Sequence, residues 1–187
     1  MKIAGQIVNL PAINKWLTTL PSEVYEKAAV SALNKVVAQA RTAMSREIRA
    51  EFNLPASTIN DGLRIQRASS KQGYMSWEAV LESPSRKGRA MNLIHFAARQ
   101  TAKGVTVKIK RAGGRKLLAS AFIGNKGRTV FRRVGKERTP IEPLQTIAVP
   151  QMFNARRVNG KVIEFIKARL PGVFEHEASY YLSRHRA

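Results

Sequence analysis

Residues 22–51 read SEVYEKAAVSALNKVVAQARTAMSREIRAE, and the spacing of their apolar positions decides the first layer of the fold. Tyr25, Ala29, Leu33, Val36, Val37, Ala40, Met44 and Ile48 return every three or four residues, which puts them on one stripe of a single long helix. Ser22 stands where an N-cap belongs, and Glu23 and Glu26 suit the positive end of the helix dipole. At ~1.5 Å per residue such a helix is about 45 Å long. Pro55 then opens a short second helix over 55–61, ended by Gly62.

After residue 62 the period changes from helical to alternating. Met75, Trp77, Ala79 and Leu81 fall on one face of a strand, with Ser76, Glu78 and Glu82 on the other. Val105, Val107 and Ile109 alternate with Thr106, Lys108 and Lys110 in the same way. Gly113-Gly114 precedes the apolar run 117–123, and Asn125-Lys126-Gly127 reads as a turn into a strand over 129–134. Pro140, Pro143 and Pro150 break up the next stretch and predict an extended arm. Two further helical segments follow, over 151–170 (weakened at Gly160) and 172–184. Helices, then strands, then helices predict an α+β fold, with C-terminal helices and an extended proline-containing arm. The expected organisation is one domain, with an N-terminal extension at 1–21, a helical part at 22–62, a basic β-meander at 63–136, the arm at 137–150 and the C-terminal helices at 151–187.

The 187 residues include 33 Lys and Arg against 12 Asp and Glu, for a formal net charge of +21. A chain this basic repels itself and is best accommodated beside a polyanion: nucleic acid first, then an anionic membrane or an acidic protein surface. An apolar content of 44% argues against a disordered basic tail. The absence of cysteine excludes disulfides, thiolate zinc sites and cysteine nucleophiles, and fits assembly in a reducing cytoplasm. The N-terminal stretch MKIAGQIVNLPAINKW has no sustained apolar core and reads as mature chain, and no apolar run approaches the ~20 residues of a membrane span.

The charge is concentrated. Between residues 83 and 136 there is no Asp or Glu, while Arg86, Lys87, Arg89, Lys108, Lys110, Arg111, Arg115, Lys116, Lys126, Arg128, Arg132 and Arg133 all fall there. These twelve are the candidate polyanion-binding residues, since cations on one strand face and at hairpin tips can track a phosphate backbone without reading bases. The ordinary reading of such a run, a solvated surface, is weakened by the missing acids. Tyr74 and Trp77 are too few to argue for base stacking. A rival reading takes residues 45–63 as a helix-turn-helix DNA reader, regulatory or nucleoid-associated. It matches imperfectly: Arg49 occupies the small-residue crossing position, and Gly62 falls where an apolar residue packs. A ribosome-associated RNA binder would account for the charge alone.

Enzyme signatures are missing. Glu175-His176-Glu177 lacks the second His of a zinc-protease helix, because Tyr180 stands four residues after His176. There is no Walker A loop and no GxGxxG pattern, and His95 reads as a core or strand residue. The expectation is no catalysis, no cofactor and no metal.

Residues 129–153, TVFRRVGKERTPIEPLQTIAVPQMF, carry an aromatic-Arg segment, then Gly135-Lys136, then Arg138-x-Pro140-Ile141-acid, and finally Ile147-Ala148-Val149-Pro150 ahead of a helix. In these features the sequence resembles the minor tail protein Z family of lambda-like phages and prophages. Ala32-Leu33-Asn34 in the long helix and Arg169-Leu170-Pro171 in the C-terminal part agree with it. The resemblance implies a low-copy virion protein of tail completion, assembled in the host cytoplasm, with other tail and neck proteins (terminator, tube, tape measure) as partners. By analogy with neck and tail-completion folds it also implies a long N-terminal helix packed on a small antiparallel β-sheet, in a homo-oligomeric ring, sixfold by the symmetry of the tail tube, whose basic face lines the lumen against DNA or the tape-measure protein. Arg138, Pro140, Ile141, Pro143, Ile147 and Pro150 would then form a subunit-bridging arm.

Overall fold

The computed structural model describes residues 2–6, 19–71, 74–84 and 90–185. In chain order the elements are β1 (Lys2–Gln6), α1 (Ser22–Glu51), α2 (Ala56–Asp61), β2 (Arg64–Gln66), β3 (Ser69–Lys71), β4 (Tyr74–Ser76) and β5 (Glu78–Glu82). They continue with β6 (Met91–Asn92), a 3-10 turn (Leu93–His95), β7 (Arg99–Thr101), β8 (Gly104–Val107), β9 (Lys116–Ala119), β10 (Ala121–Gly124) and β11 (Thr129–Arg133). The last are β12 (Ile141–Pro143), β13 (Gln145–Thr146), α3 (Val149–Phe153) and α4 (Arg156–His185). The fold is α+β, as expected. Two units divide it: Met1–Met44 with Leu63–Pro84 and Arg156–Ala187, and Ser45–Gly62 with Ser85–Ala155.

In the first unit the long helix forms over the expected residues. The Pro21 carbonyl accepts the Tyr25 amide at 3.0 Å, so Ser22 is the first helical residue and not the cap. Val24, Tyr25, Ala28, Ala29, Ala32, Leu33, Val36 and Val37 are buried, two neighbours per turn, a band wider than the expected stripe. The width has a cause: the helix has partners on two sides. Leu33, Val36 and Val37 meet Ala79 and Leu81 of β5 and Ile166 and Leu170 of α4 around a gap of only about 20 Å³.

β5 is the central strand of a β1-β5-β2 antiparallel sheet, with Ile3 opposite Leu81 and Ile65 opposite Leu81 on the other side. Residues 2–6 are thus a paired strand within the expected N-terminal extension. The one-faced strand over 75–81 does not form. Met75 belongs to β4 in a separate hairpin with β3, Trp77 lies between strands, and Ala79, Val80 and Leu81 are all buried. Consecutive buried residues mean that both faces of β5 are covered. Trp77 instead packs its ring on Tyr25, 5.5 Å between centroids, and Tyr25 meets Phe174 edge-on at the same distance.

Two C-terminal helices were expected to meet at Pro171; α4 instead runs through it without a break. Proline inside a helix removes one backbone hydrogen bond and crowds the preceding turn. Here Leu170, Phe174 and Ala178, all buried, keep both halves on the core and outweigh that cost. The break falls earlier, at Asn154 and Ala155, between α3 and α4. In α3 the Gln151 side chain accepts the Ala148 amide at 2.8 Å and caps the helix start.

Glu177, one residue past His176, is 3% exposed. Burial alone raises its pKa, but donation from Lys35 at 2.5 Å and Ser31 at 2.6 Å, with the Lys35 charge, leaves it below the ordinary carboxylate value. A folded-state pKa below the unfolded one stabilises above the unfolded value, and the contribution is lost as pH falls through the folded pKa. Lys35 is half exposed, which limits the pair to about 1 kcal/mol. Glu177→Gln is therefore expected to lower stability by about that amount at neutral pH and by almost nothing near pH 3, read from urea midpoints at both.

The second unit holds β6 to β13 in three small sheets: β7-β8-β9, β10-β11-β12 and β13-β6. The strands over 63–136 thus do not make one meander. The chain turns sharply at Ala97 (φ 49°) and Ser120 (φ 60°), and the latter splits the apolar run 117–123 into β9 and β10 of different sheets. The turn at Asn125-Lys126-Gly127 forms where expected, all three residues having positive φ (50°, 53° and 82°), and Gly124 pairs with Thr129 across it. Val105, Val107, Val130, Phe96, Ile59, Met152 and Phe153 are buried.

Asn92 ties this unit together. Its Oδ1 accepts the Val130 amide at 2.9 Å and the Ile94 amide at 3.0 Å, while Nδ2 donates to the Val130 carbonyl at 3.2 Å. Asn92→Ala takes the acceptor from the Val130 and Ile94 amides, while the Val130 carbonyl keeps the Leu144 amide at 2.9 Å, and it is expected to cost about 2–3 kcal/mol, measured by chemical denaturation.

Candidate polyanion-binding face

Within the second unit 18 Lys and Arg stand against five Asp and Glu, so the larger part of the net charge lies there. Three of the twelve candidates, Arg86, Lys87 and Arg89, lie outside the described residues. The other nine sit on loops more than on a strand face. β8 ends at Val107, and Lys108, Lys110, Arg111 and Arg115 belong to the connection between β8 and β9. Lys126 and Arg128 are exposed on the four-residue loop between β10 and β11. Only Lys116, Arg132 and Arg133 are strand residues.

A strap from the end of α1 positions the 108–116 connection. The Glu51 carbonyl accepts the Arg111 amide at 2.9 Å, and the Asn53 amide donates to the Ile109 carbonyl at 2.8 Å. Asn53 Nδ2 reaches the Lys108 carbonyl at 3.2 Å, and Phe52 and Lys110 form a β-bridge. The Lys108 amide is held by the Phe96 carbonyl at 2.9 Å. Each backbone bond fixes the chain without using a cationic head, so the ammonium and guanidinium groups stay available to solvent.

Three candidates are engaged within the chain. The Arg115 guanidinium folds back to the Ala97 carbonyl, the Thr106 carbonyl at 3.2 Å and the Thr106 hydroxyl at 3.3 Å. Arg132 pairs with Glu142 across β11 and β12 at 2.5 Å, with a second contact at 3.1 Å. Arg133 lies 5.4 Å from the Phe122 ring centroid, and Phe122 stacks on Phe131 at 5.9 Å. Lys108, Lys110, Arg111, Lys116, Lys126 and Arg128 have no side-chain partner among the described residues. Those six are the working set. Lys103, exposed at the tip of the β7-β8 turn, extends it.

The arm residues are stitched to the same unit. β12 pairs with β11 and β13 with β6, and the Thr139-Pro140 bond is cis. At the end of the β11-β12 hairpin Val134 is 60% and Ile141 43% exposed, next to exposed Arg138 and Pro140. Pro143 is exposed, and Ile147 and Pro150 are half-buried. His95 is exposed on its 3-10 turn, not in the core, because Leu93 and Phe96 take the buried positions beside it. The side chain of Tyr74 lies outside the described residues. Among the described residues no three His, Cys, Asp or Glu gather as a metal site, and no helix is long and apolar enough to cross a membrane.

Fold and charge together define an α+β protein, the larger part of whose net charge lies in the unit of small sheets. The family model of the prophage minor tail protein Z (GPZ) matches residues 11–186, nearly the whole chain, and the chain belongs to that family. It is a phage minor tail protein, with a structural role in the tail. Comparison with curated proteins and with solved structures gave no significant match.

Proposed function

We propose that this minor tail protein completes the tail at its head-proximal end, as a homo-oligomeric and non-catalytic ring that contacts the genome end or the tape-measure protein. The two units act as one tail-completion module, assembled in the host cytoplasm, with the terminator and tube proteins as neighbours. The observation that carries this reading is the set of six unpartnered cations on the 108–116 and 125–128 loops. Such a set gives sequence-blind attraction to a polyanion lining or filling a lumen. Sixfold symmetry follows from the tube on which the ring would sit. The exposed apolar pair Val134 and Ile141, at the end of a basic hairpin, supports a bridge to the next subunit through Arg138, Pro140, Ile141, Pro143, Ile147 and Pro150.

The helix-turn-helix alternative is not supported. α2 has six residues, about 9 Å of helix. Its Ile59 is buried, and Gly62 abuts Val149, where an added Cβ would come within 2.8 Å. A recognition helix must lie in the major groove and present several side chains to it. Gold-labelled antibody to the protein, applied to intact virions and isolated tails, is expected to mark the head-proximal end. Label along the tube, at the distal tip or on no particle defeats the proposal.

A further inference from the structure

Beside the working set is a feature that phosphate binding does not need. Between the 108–116 connection and its sheet lies a slot of about 220 Å³, lined by Val107, Ile109, Lys110, Gly113, Gly114 and Lys116. Its interior is largely apolar, with Val107 and Ile109 beside Lys110 and Lys116 in its lining. The volume is below that of pockets for drug-sized ligands and suits one Leu- or Phe-sized side chain. A second observation points the same way. β9 pairs only with β8, so it is an edge strand whose outer amides and carbonyls meet no further strand among the described residues. Leu117 on that strand is 50% exposed.

We infer that the slot and the free edge of β9 together receive an extended, acidic segment of another tail protein, one apolar side chain of which enters the slot. An added strand gains main-chain hydrogen bonds from the edge, and the pocket selects the side chain. Lys110, Arg111 and Lys116 complement carboxylates on either side of the inserted residue. Duplex DNA has no amide backbone for the edge, and its thymine methyls lie on the floor of the major groove and do not project as a side chain that could fill the slot, so the chemistry at this end of the face favours protein. The inference rests on the proposed polyanion-binding role of the face and names the kind of polyanion taken here.

The test measures fluorescence anisotropy on the full chain with three labelled probes. One is a short peptide of alternating Asp and Thr with a single central Phe, the second its counterpart with central Ala, the third a duplex DNA. The Phe peptide is expected to bind about tenfold or more tighter than the Ala peptide, the gain of burying an aromatic side chain. Gly114→Leu obstructs the slot without changing charge, at a position where an added Cβ meets nothing within 4 Å. It should close the gap between the two peptides and leave duplex affinity within about twofold. Equal binding of both peptides to the unaltered protein, with the duplex still bound, overturns the slot inference alone. Failure of all three probes at low salt overturns the polyanion reading and the slot with it. Methyl resonances of Val107 and Ile109 should shift with the Phe peptide and not with the duplex. The reverse pattern also counts against the slot.

Discussion

Replacing Lys108, Lys110, Arg111 and Lys116 together by Gln is expected to weaken duplex binding about a thousandfold near 0.15 M salt. The size follows from counterion release. Each cation that neutralises a phosphate contributes about 0.9 to the slope of log affinity against log salt, so six give a slope near −5 and the remaining two near −2. The four substituted residues hold no side-chain partner among the described residues, and their backbone bonds to Glu51, Phe96 and Asn53 survive the change. Thermal stability should therefore be unaltered. Arg132→Gln is the contrasting variant. Its guanidinium is already paired with Glu142, so it should leave the slope nearly unchanged. Salt titrations of the two proteins on unrelated duplexes check both statements, and equal slopes would sink the assignment of the working set.

The largest effect on stability is expected at Gly104. It opens β8 with φ +135°, a conformation that L side chains rarely adopt, and an added Cβ would lie 2.2 Å from the Leu118 carbonyl oxygen. That oxygen is backbone and cannot swing away as a side-chain tip could. Gly104 also pairs with Thr101 in β7 and Ala119 in β9, so relief requires strands on both sides to move. Gly104→Ala should cost more than about 3 kcal/mol, lowering Tm by roughly 10 °C or preventing soluble expression. Gly114→Ala, only ten residues away in a spacious turn, should shift Tm by less than about 2 °C. Similar Tm values for the two variants would contradict this account of the β8-β9 junction.

How much of this was readable in the chain depends on how local each cause is. The helix Ser22–Glu51 was legible to the residue because its stripe, from Tyr25 to Ile48, is written in one continuous segment. The β10-β11 turn was legible because Asn125 and Gly127 suit the positive φ that they adopt. The pairing of β1 with β5 was not, since residues 2–6 and 78–82 are joined only in three dimensions. Nor was the continuity of α4, because burial of Leu170 and Phe174, invisible in local propensity, overrides Pro171. The site shows the same division. The acid-free run located the face, but not which cations are spent. Arg132 loses its freedom to Glu142 through strand register, and Arg115 to the Ala97 and Thr106 carbonyls through a turn at positive φ. Glu177 sits in a superficially metal-like triplet, yet it serves the core through Ser31 and Lys35, more than 140 positions earlier in the chain.

A cryo-electron microscopy reconstruction of the head-proximal end of the assembled tail tests the central claim most directly. The account predicts a ring of this chain there, with Lys108, Lys110, Arg111, Lys116, Lys126 and Arg128 facing DNA or an acidic protein segment. A ring whose 108–116 and 125–128 loops face outward into solvent, or a head-proximal end built without this chain, would contradict it.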